Sequence, residues 1–67
     1  MTTIELNGAP HVLAQATSVA ALLQSNGYAD RPVAVEINRE IVPRSQHAHR
    51  LLQDGDRVEI VRAMGGG

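Results

Sequence analysis

No cysteine occurs in this chain of 67 residues, and that absence constrains the fold more than any motif the chain contains. A domain of this size buries only about 60% of the surface its unfolded form exposes. Small domains commonly compensate with disulfides or a structural metal. Here no disulfide framework, thiolate metal site or cysteine nucleophile is available, so one compact core within one domain must supply the stability. The material for it is ordinary in amount, 43% hydrophobic, and aliphatic in kind: there is no Phe or Trp, and Tyr28 is the single aromatic residue. An unstapled small domain suits a reducing compartment. The opening residues Met1-Thr2-Thr3-Ile4-Glu5 lack the basic region and apolar run of a signal peptide, and no apolar stretch approaches the ~18 residues that cross a bilayer. The expectation is a cytoplasmic protein with no membrane contact.

Periodicity divides the chain into short elements. Residues 3–7 alternate, with Ile4 and Leu6 on one face and Thr3 and Glu5 on the other, which predicts a half-buried strand. Asn7-Gly8 follows, a pair suited to the two positive φ angles of a tight hairpin turn. Residues 10–14 return as a second strand, placed at a sheet edge because Pro10 cannot donate to a ladder. Thr17-Ser18 offers an N-cap. Val19, Leu22 and Leu23 then form a helical stripe over about 19–26, and Gly27 is suited to the left-handed position that ends it. Val33, Val35 and Ile37 alternate as a third strand, Asn38-Arg39 turns, and Ile41-Val42 is a short apolar pair closed by Pro43. Residues 44–53 read as a loop with one helical turn that tucks Leu51 and Leu52 under. Gln53-Asp54-Gly55-Asp56 is a turn, and 57–62 is a last strand with Val58 and Ile60 inward and Glu59 and Val61 on the opposite face.

Strands on either side of a single helix predict an α+β domain, a mixed sheet with the helix packed on one face. The short connections are satisfied when the last strand lies beside the first and parallel to it, which is the β-grasp, or ubiquitin-like, arrangement. Residues 1–63 form that domain, and 64–67 are expected to be a flexible C-terminal glycine tail.

Little in the body of the chain suggests chemistry by side chains. His47 and His49 are two apart, a spacing with no particular ligand geometry, and with His11 they read as surface or partly packed imidazoles. Asp54-Gly55-Asp56 is too short for a calcium loop and is what a tight turn requires. No glycine loop precedes a helix to cradle phosphate. The formal charge of -1 and pI near 6.2 oppose a general nucleic-acid role, and a single aromatic residue cannot make a stacking platform for bases. All six basic residues are arginine, so no lysine amine is present for isopeptide chain building.

The tail remains. Three consecutive glycines, Gly65, Gly66 and Gly67, contribute no packing and carry the largest backbone entropy. A frayed end or a cloning remnant has that composition too. The sharper reading is that the terminal carboxylate is delivered somewhere. Extended from Met64 to Gly67, the chain reaches about 13 Å, thin enough for a channel that a β-carbon would block. A carboxylate is a poor electrophile, but as a mixed anhydride with AMP it reacts with sulfur, leaving a terminal thiocarboxylate.

The stretch Ala34-Val35-Glu36-Ile37-Asn38-Arg39-Glu40-Ile41-Val42-Pro43-Arg44, the run Gln53-Asp54-Gly55-Asp56-Arg57-Val58-Glu59-Ile60 and the closing Gly66-Gly67 together resemble the ThiS family of sulfur carrier proteins of thiamin biosynthesis, over essentially the whole chain. The resemblance implies a protein co-substrate rather than an enzyme. Its Gly67 carboxylate would be adenylated by an E1-like adenylyltransferase, ThiF. A cysteine desulfurase persulfide would supply sulfur, and the thiazole synthase ThiG would accept it. It implies no cofactor bound by the chain itself, since ATP and magnesium belong to the activating enzyme. The same end chemistry would serve a carrier for molybdopterin or tRNA thiolation, whereas a non-covalent β-grasp interaction module has no need of the glycine pair. For docking, the sheet face away from the helix is expected to display Glu5, Glu59 and Val61, with Arg62, Met64 and Gly65 leading into the reactive end at Gly66 and Gly67.

Overall fold

A computed structural model describes residues 1–62. Five strands form one sheet in the order β2-β1-β5-β3-β4. They are β1 (Thr2–Leu6), β2 (Ala9–Leu13), β3 (Val33–Ile37), β4 (Glu40–Val42) and β5 (Arg57–Arg62), with one helix, α1 (Val19–Ser25), between β2 and β3. β1 and β5 run parallel, and the other pairings are antiparallel. This is the β-grasp topology, with the last strand at the centre of the sheet. Each of the first two strands begins and ends one residue before its expected bounds, and Pro10 lies on the edge strand, opposite Glu5. No helix among the described residues is long and apolar enough to cross a membrane.

Local chemistry explains the elements. The two hairpins turn on Asn7-Gly8 and Asn38-Arg39, and all four residues have positive φ (49, 87, 53 and 70°), the geometry that matches the twist of paired strands. At seven residues, α1 is too short to persist alone, so its packing and its caps hold it. Ser18 Oγ accepts the Ala21 N–H at 3.1 Å. The N–H groups of Val19 and Ala20 donate to the Arg50 and His47 carbonyls, both at 2.9 Å, so the later loop satisfies donors that the helix itself cannot. At the other end Tyr28 N–H donates to Leu23 C=O and Gly27 N–H to Gln24 C=O, with Gly27 at φ 81°: a Schellman motif.

Val19, Leu22 and Leu23 press the helix onto the inward residues of the strands, and Ile4, Val19, Leu22, Val35 and Val58 are the most completely buried side chains. Each contributes about 1.5–3 kcal/mol relative to exposure, the main stabilising term in a domain without staples.

Two expectations for the loop after β4 need correction. Leu52 is buried, but Leu51 is 53% exposed. Leu51 forms an isolated antiparallel bridge with Ser18, and in extended backbone successive side chains point to opposite sides, so only one of the two can enter the core. His47, expected at the surface or partly packed, is buried. Its Nε2 lies 3.0 Å from the Val42 carbonyl oxygen, which gives the ring a structural partner between β4 and the 3₁₀ turn at Arg44–Gln46.

Candidate functional site at the root of the C-terminal tail

Met64, Gly65, Gly66 and Gly67, the expected tail, lie outside the described residues, as does the expected domain boundary after residue 63. What the structure defines is the base from which they leave. That base is β5, paired along one side with β3, from Ile37↔Val58 to Val33↔Arg62, and on the other with β1 through Glu5↔Arg57 and Leu6↔Val58.

Side chains from three turns fasten β5 at its start and beyond the end of β1. Asn7 N–H donates to Val58 C=O at 2.9 Å, and Asn7 Oδ1 accepts the Ile60 N–H at 2.8 Å, extending the β1 side of the ladder past the last residue of β1. On the β3 side, Asn38 exchanges bonds with Arg57: its N–H donates to Arg57 C=O at 2.8 Å, and its Oδ1 accepts Arg57 N–H at 2.9 Å. Its Nδ2 donates to Asp56 Oδ1 at 3.0 Å. Asp56, 6% exposed, also accepts the Gln53 N–H through Oδ2 at 2.8 Å and has Arg50 at 3.7 Å, so the buried carboxylate has both hydrogen bonds and a countercharge. The neighbouring Asp54 accepts the Thr3 N–H at 2.8 Å. These are positioning residues that sequence reasoning took only as turn formers. The signal was in the sequence, since the asparagine turn and the Asp-Gly-Asp turn are the same residues that carry the family resemblance.

The candidate partner-binding residues divide between two faces. Val58 and Ile60 are buried, so Glu59 and Val61 project from the opposite, open face, as expected. Glu59 stands opposite Glu36, Glu36 opposite Ile41, and Val61 opposite Ala34. Val61 and Ile41 are 50% and 63% exposed, so the face mixes apolar residues with carboxylates. Glu5 is on the same face and pairs with Arg57 at 3.3 Å, an exposed contact worth little. Arg62 alternates to the helix side, beside Val33, and lines a cavity there with Arg31 and Pro32. The structure therefore brings Glu59 and Val61 together and sets Arg62 apart from them.

What the described residues supply is a central strand paired on both sides that ends at Arg62 and exposes Glu59 and Val61 on the open face. Among the described residues no three His, Cys, Asp or Glu side chains gather into a metal-binding group.

The sheet order and the helix packed on one face define a β-grasp domain. A family model described as "ThiS family" matches residues 2–67, and the chain belongs to that family. It is similar to the thiazole synthase of Magnetococcus marinus, 41% identical over 64 residues that make up 96% of this chain but 20% of that protein. The chain thus spans about a fifth of the length of that relative. It is also 36% identical over 50 residues to the sulfur carrier protein ThiS of Escherichia coli K12, covering 75% of this chain and 76% of the relative. The crystal structure of the thiamine biosynthesis protein ThiS from Geobacter metallireducens superposes with a TM-score of 0.84 at 33% identity, covering 98% of this chain and all of that one.

Proposed function

We propose that the chain carries sulfur on the carboxylate of Gly67. The role of sulfur carrier in thiamin biosynthesis follows from membership of the ThiS family. The chain is in that role a protein substrate, acted on by enzymes. The proposal concerns how the cargo is attached. A ThiF-like adenylyltransferase, using its own ATP and magnesium, joins the Gly67 carboxylate to AMP and releases pyrophosphate. The outer sulfur of a cysteine desulfurase persulfide attacks the acyl carbon and expels AMP. A thiol then cleaves the resulting S–S bond, leaving the thiocarboxylate. A thiazole synthase of the ThiG type takes the sulfur. The reading places the chain in the cytoplasm, where these reactants are available, and gives it no bound cofactor, nucleic acid or membrane.

The observation that carries the proposal is that the family match runs through residue 67, over a triple glycine that begins three residues after the last residue of a strand fastened from both sides. A tail without β-carbons can enter a narrow site, and a rigid base reduces the entropy lost when the tail is received. That proteins named thiazole synthase contain a stretch matching nearly all of this chain supports thiazole formation, rather than molybdopterin or tRNA thiolation, as the destination. The open face carrying Glu59 and Val61 supplies the docking surface, combining apolar contact with charge.

Intact mass tests the chemistry. With ATP, the activating enzyme, a desulfurase and cysteine, the protein should gain the difference between sulfur and oxygen, and lose it again when a thiazole synthase and its substrates are added. A mass that never changes would refute the proposal.

A further inference from the structure

The arginines are not spread evenly. Of six, Arg50 and Arg57 form ion pairs among the described residues. Three of the remaining four, Arg31, Arg44 and Arg62, line two cavities that share Arg31 and Val33. The first, of about 300 Å³, lies between the end of α1 and the 3₁₀ turn, with Leu23, Tyr28 and Val33 among its lining residues. The second, of about 250 Å³, adjoins Arg62 at the end of β5. Among the described residues, Asp30 is the single carboxylate lining either cavity. The loop that presents Arg31 is a built turn: Asp30 holds φ at 64°, and Arg31 N–H donates to Tyr28 C=O at 3.1 Å. The chain as a whole is net negative, and Glu5, Glu36 and Glu59 project from the opposite face of the sheet.

We propose that this groove, running from Arg44 past Arg31 to Arg62, docks an extended segment of alternating acidic and aliphatic residues on a protein that receives the tail. Guanidinium groups form bidentate pairs with carboxylates, and three of them placed along an apolar floor match a peptide that offers carboxylates and aliphatic side chains by turns. A compact phosphate ligand fits less well. It needs converging donors, whereas here the cations are distributed over two cavities, the floor is apolar, and Asp30 opposes a dense negative charge. The groove ends at Arg62, the last described residue. It is also on the other side of the sheet from Glu59 and Val61, which leaves the open face free for a second enzyme. The identity of the partner as a tail-receiving protein rests on the carrier reading; the groove's affinity for acidic peptide does not.

The test titrates the full-length protein, labelled with nitrogen-15, with a short capped peptide of alternating glutamate and leucine. Amide shifts should concentrate at residues 29–31, 33, 44–48 and 62. Combining Arg31→Gln with Arg44→Gln should weaken binding roughly tenfold, equivalent to about 1.4 kcal/mol, with an unchanged circular dichroism spectrum. Arg39→Gln, which removes an arginine from the turn between β3 and β4, should leave affinity within about twofold, and each of Arg31→Gln and Arg44→Gln alone should weaken binding more than it does. Binding should fall sharply in about 1 M salt, where the screening length is near 3 Å. Shifts on the open face, no shifts at all, or equal loss in the Arg39 variant would overturn the proposal. So would tighter binding of inorganic pyrophosphate at the groove, which would make it a phosphate site. Concentration-dependent self-association abolished by the double variant would overturn it in favour of a second copy, whose acidic face would be the occupant. Because no adenylation is involved, failure here is distinguishable from failure of the thiocarboxylate chemistry.

Discussion

Asn38 and Asp56, 18 positions apart, are joined by a 3.0 Å hydrogen bond from Nδ2 to Oδ1, so the turn that ends β3 is fastened to the turn that starts β5. Asn38 alone can do this from its position. Its φ of 53° is a conformation that asparagine tolerates better than most residues, and its amide both donates to Asp56 and accepts from Arg57.

Substitution separates these contributions. Asn38→Ala loses both side-chain bonds and places at φ 53° a residue that tolerates the left-handed region less well than asparagine, and it should cost about 2–4 kcal/mol. Asn38→Gly keeps the backbone relaxed and should cost about 1–2 kcal/mol. Urea unfolding midpoints at equal slope measure both. Equal losses would mean that backbone strain contributes little.

Asn7 makes a narrower prediction. Its Oδ1 is the partner of the Ile60 N–H, 53 positions away. Asn7→Gly preserves the turn and removes that acceptor. Hydrogen exchange at Ile60 should quicken by about tenfold, the equivalent of one modest hydrogen bond. Amides shared between β3 and β5 should change less. Uniform acceleration across the sheet would instead indicate global destabilisation.

The legible parts of this fold were those written in neighbouring residues. Asn7-Gly8, Asn38-Arg39, the Ser18 cap and the Gly27 stop each act within a few positions, and alternation in Val33-Ala34-Val35-Glu36-Ile37 announces its buried face directly. Pro10 even assigned its strand to an edge. Long-range partners were not legible. Nothing local says that Asn7 will reach Ile60 or that Asp56 will be buried against Asn38 and Arg50. The same holds for the loop after Pro43, where two adjacent leucines compete for one place and the bridge from Leu51 to Ser18 decides the outcome. For the site, Glu59 and Val61 followed from strand parity, whereas the separation of Arg62 onto the other face acquires meaning only when Arg31 and Arg44 are seen beside it.

Val61 tests the open face. It is half exposed and lies opposite Ala34, so Val61→Asp removes no core contact and should change stability by about 1 kcal/mol or less. Adenylation should nevertheless weaken, chiefly as a rise of about tenfold or more in the KM for the carrier, followed by pyrophosphate release. Val61→Thr keeps the branched shape and should retain most activity. A folded Val61→Asp protein activated with unchanged kinetics would remove this face from the docking surface.

Gly67 tests the end itself. Gly67→Ala adds one methyl group, which no packed element of the described domain has to accommodate, so the thermal midpoint should stay the same. On the proposed delivery of the tail into a site shaped for bare backbone, that methyl group would have nowhere to go, and the loss should fall mainly on the rate of adenylation rather than on docking, because the domain's surface is untouched. Removing Gly66 and Gly67 together shortens the chain by up to roughly 7 Å. Cells that depend on this protein for thiazole should then fail to grow without added thiazole, while the truncated protein still competes with the intact one for the activating enzyme. Growth without that supplement would show that the carboxylate of Gly67 is not where the sulfur is held.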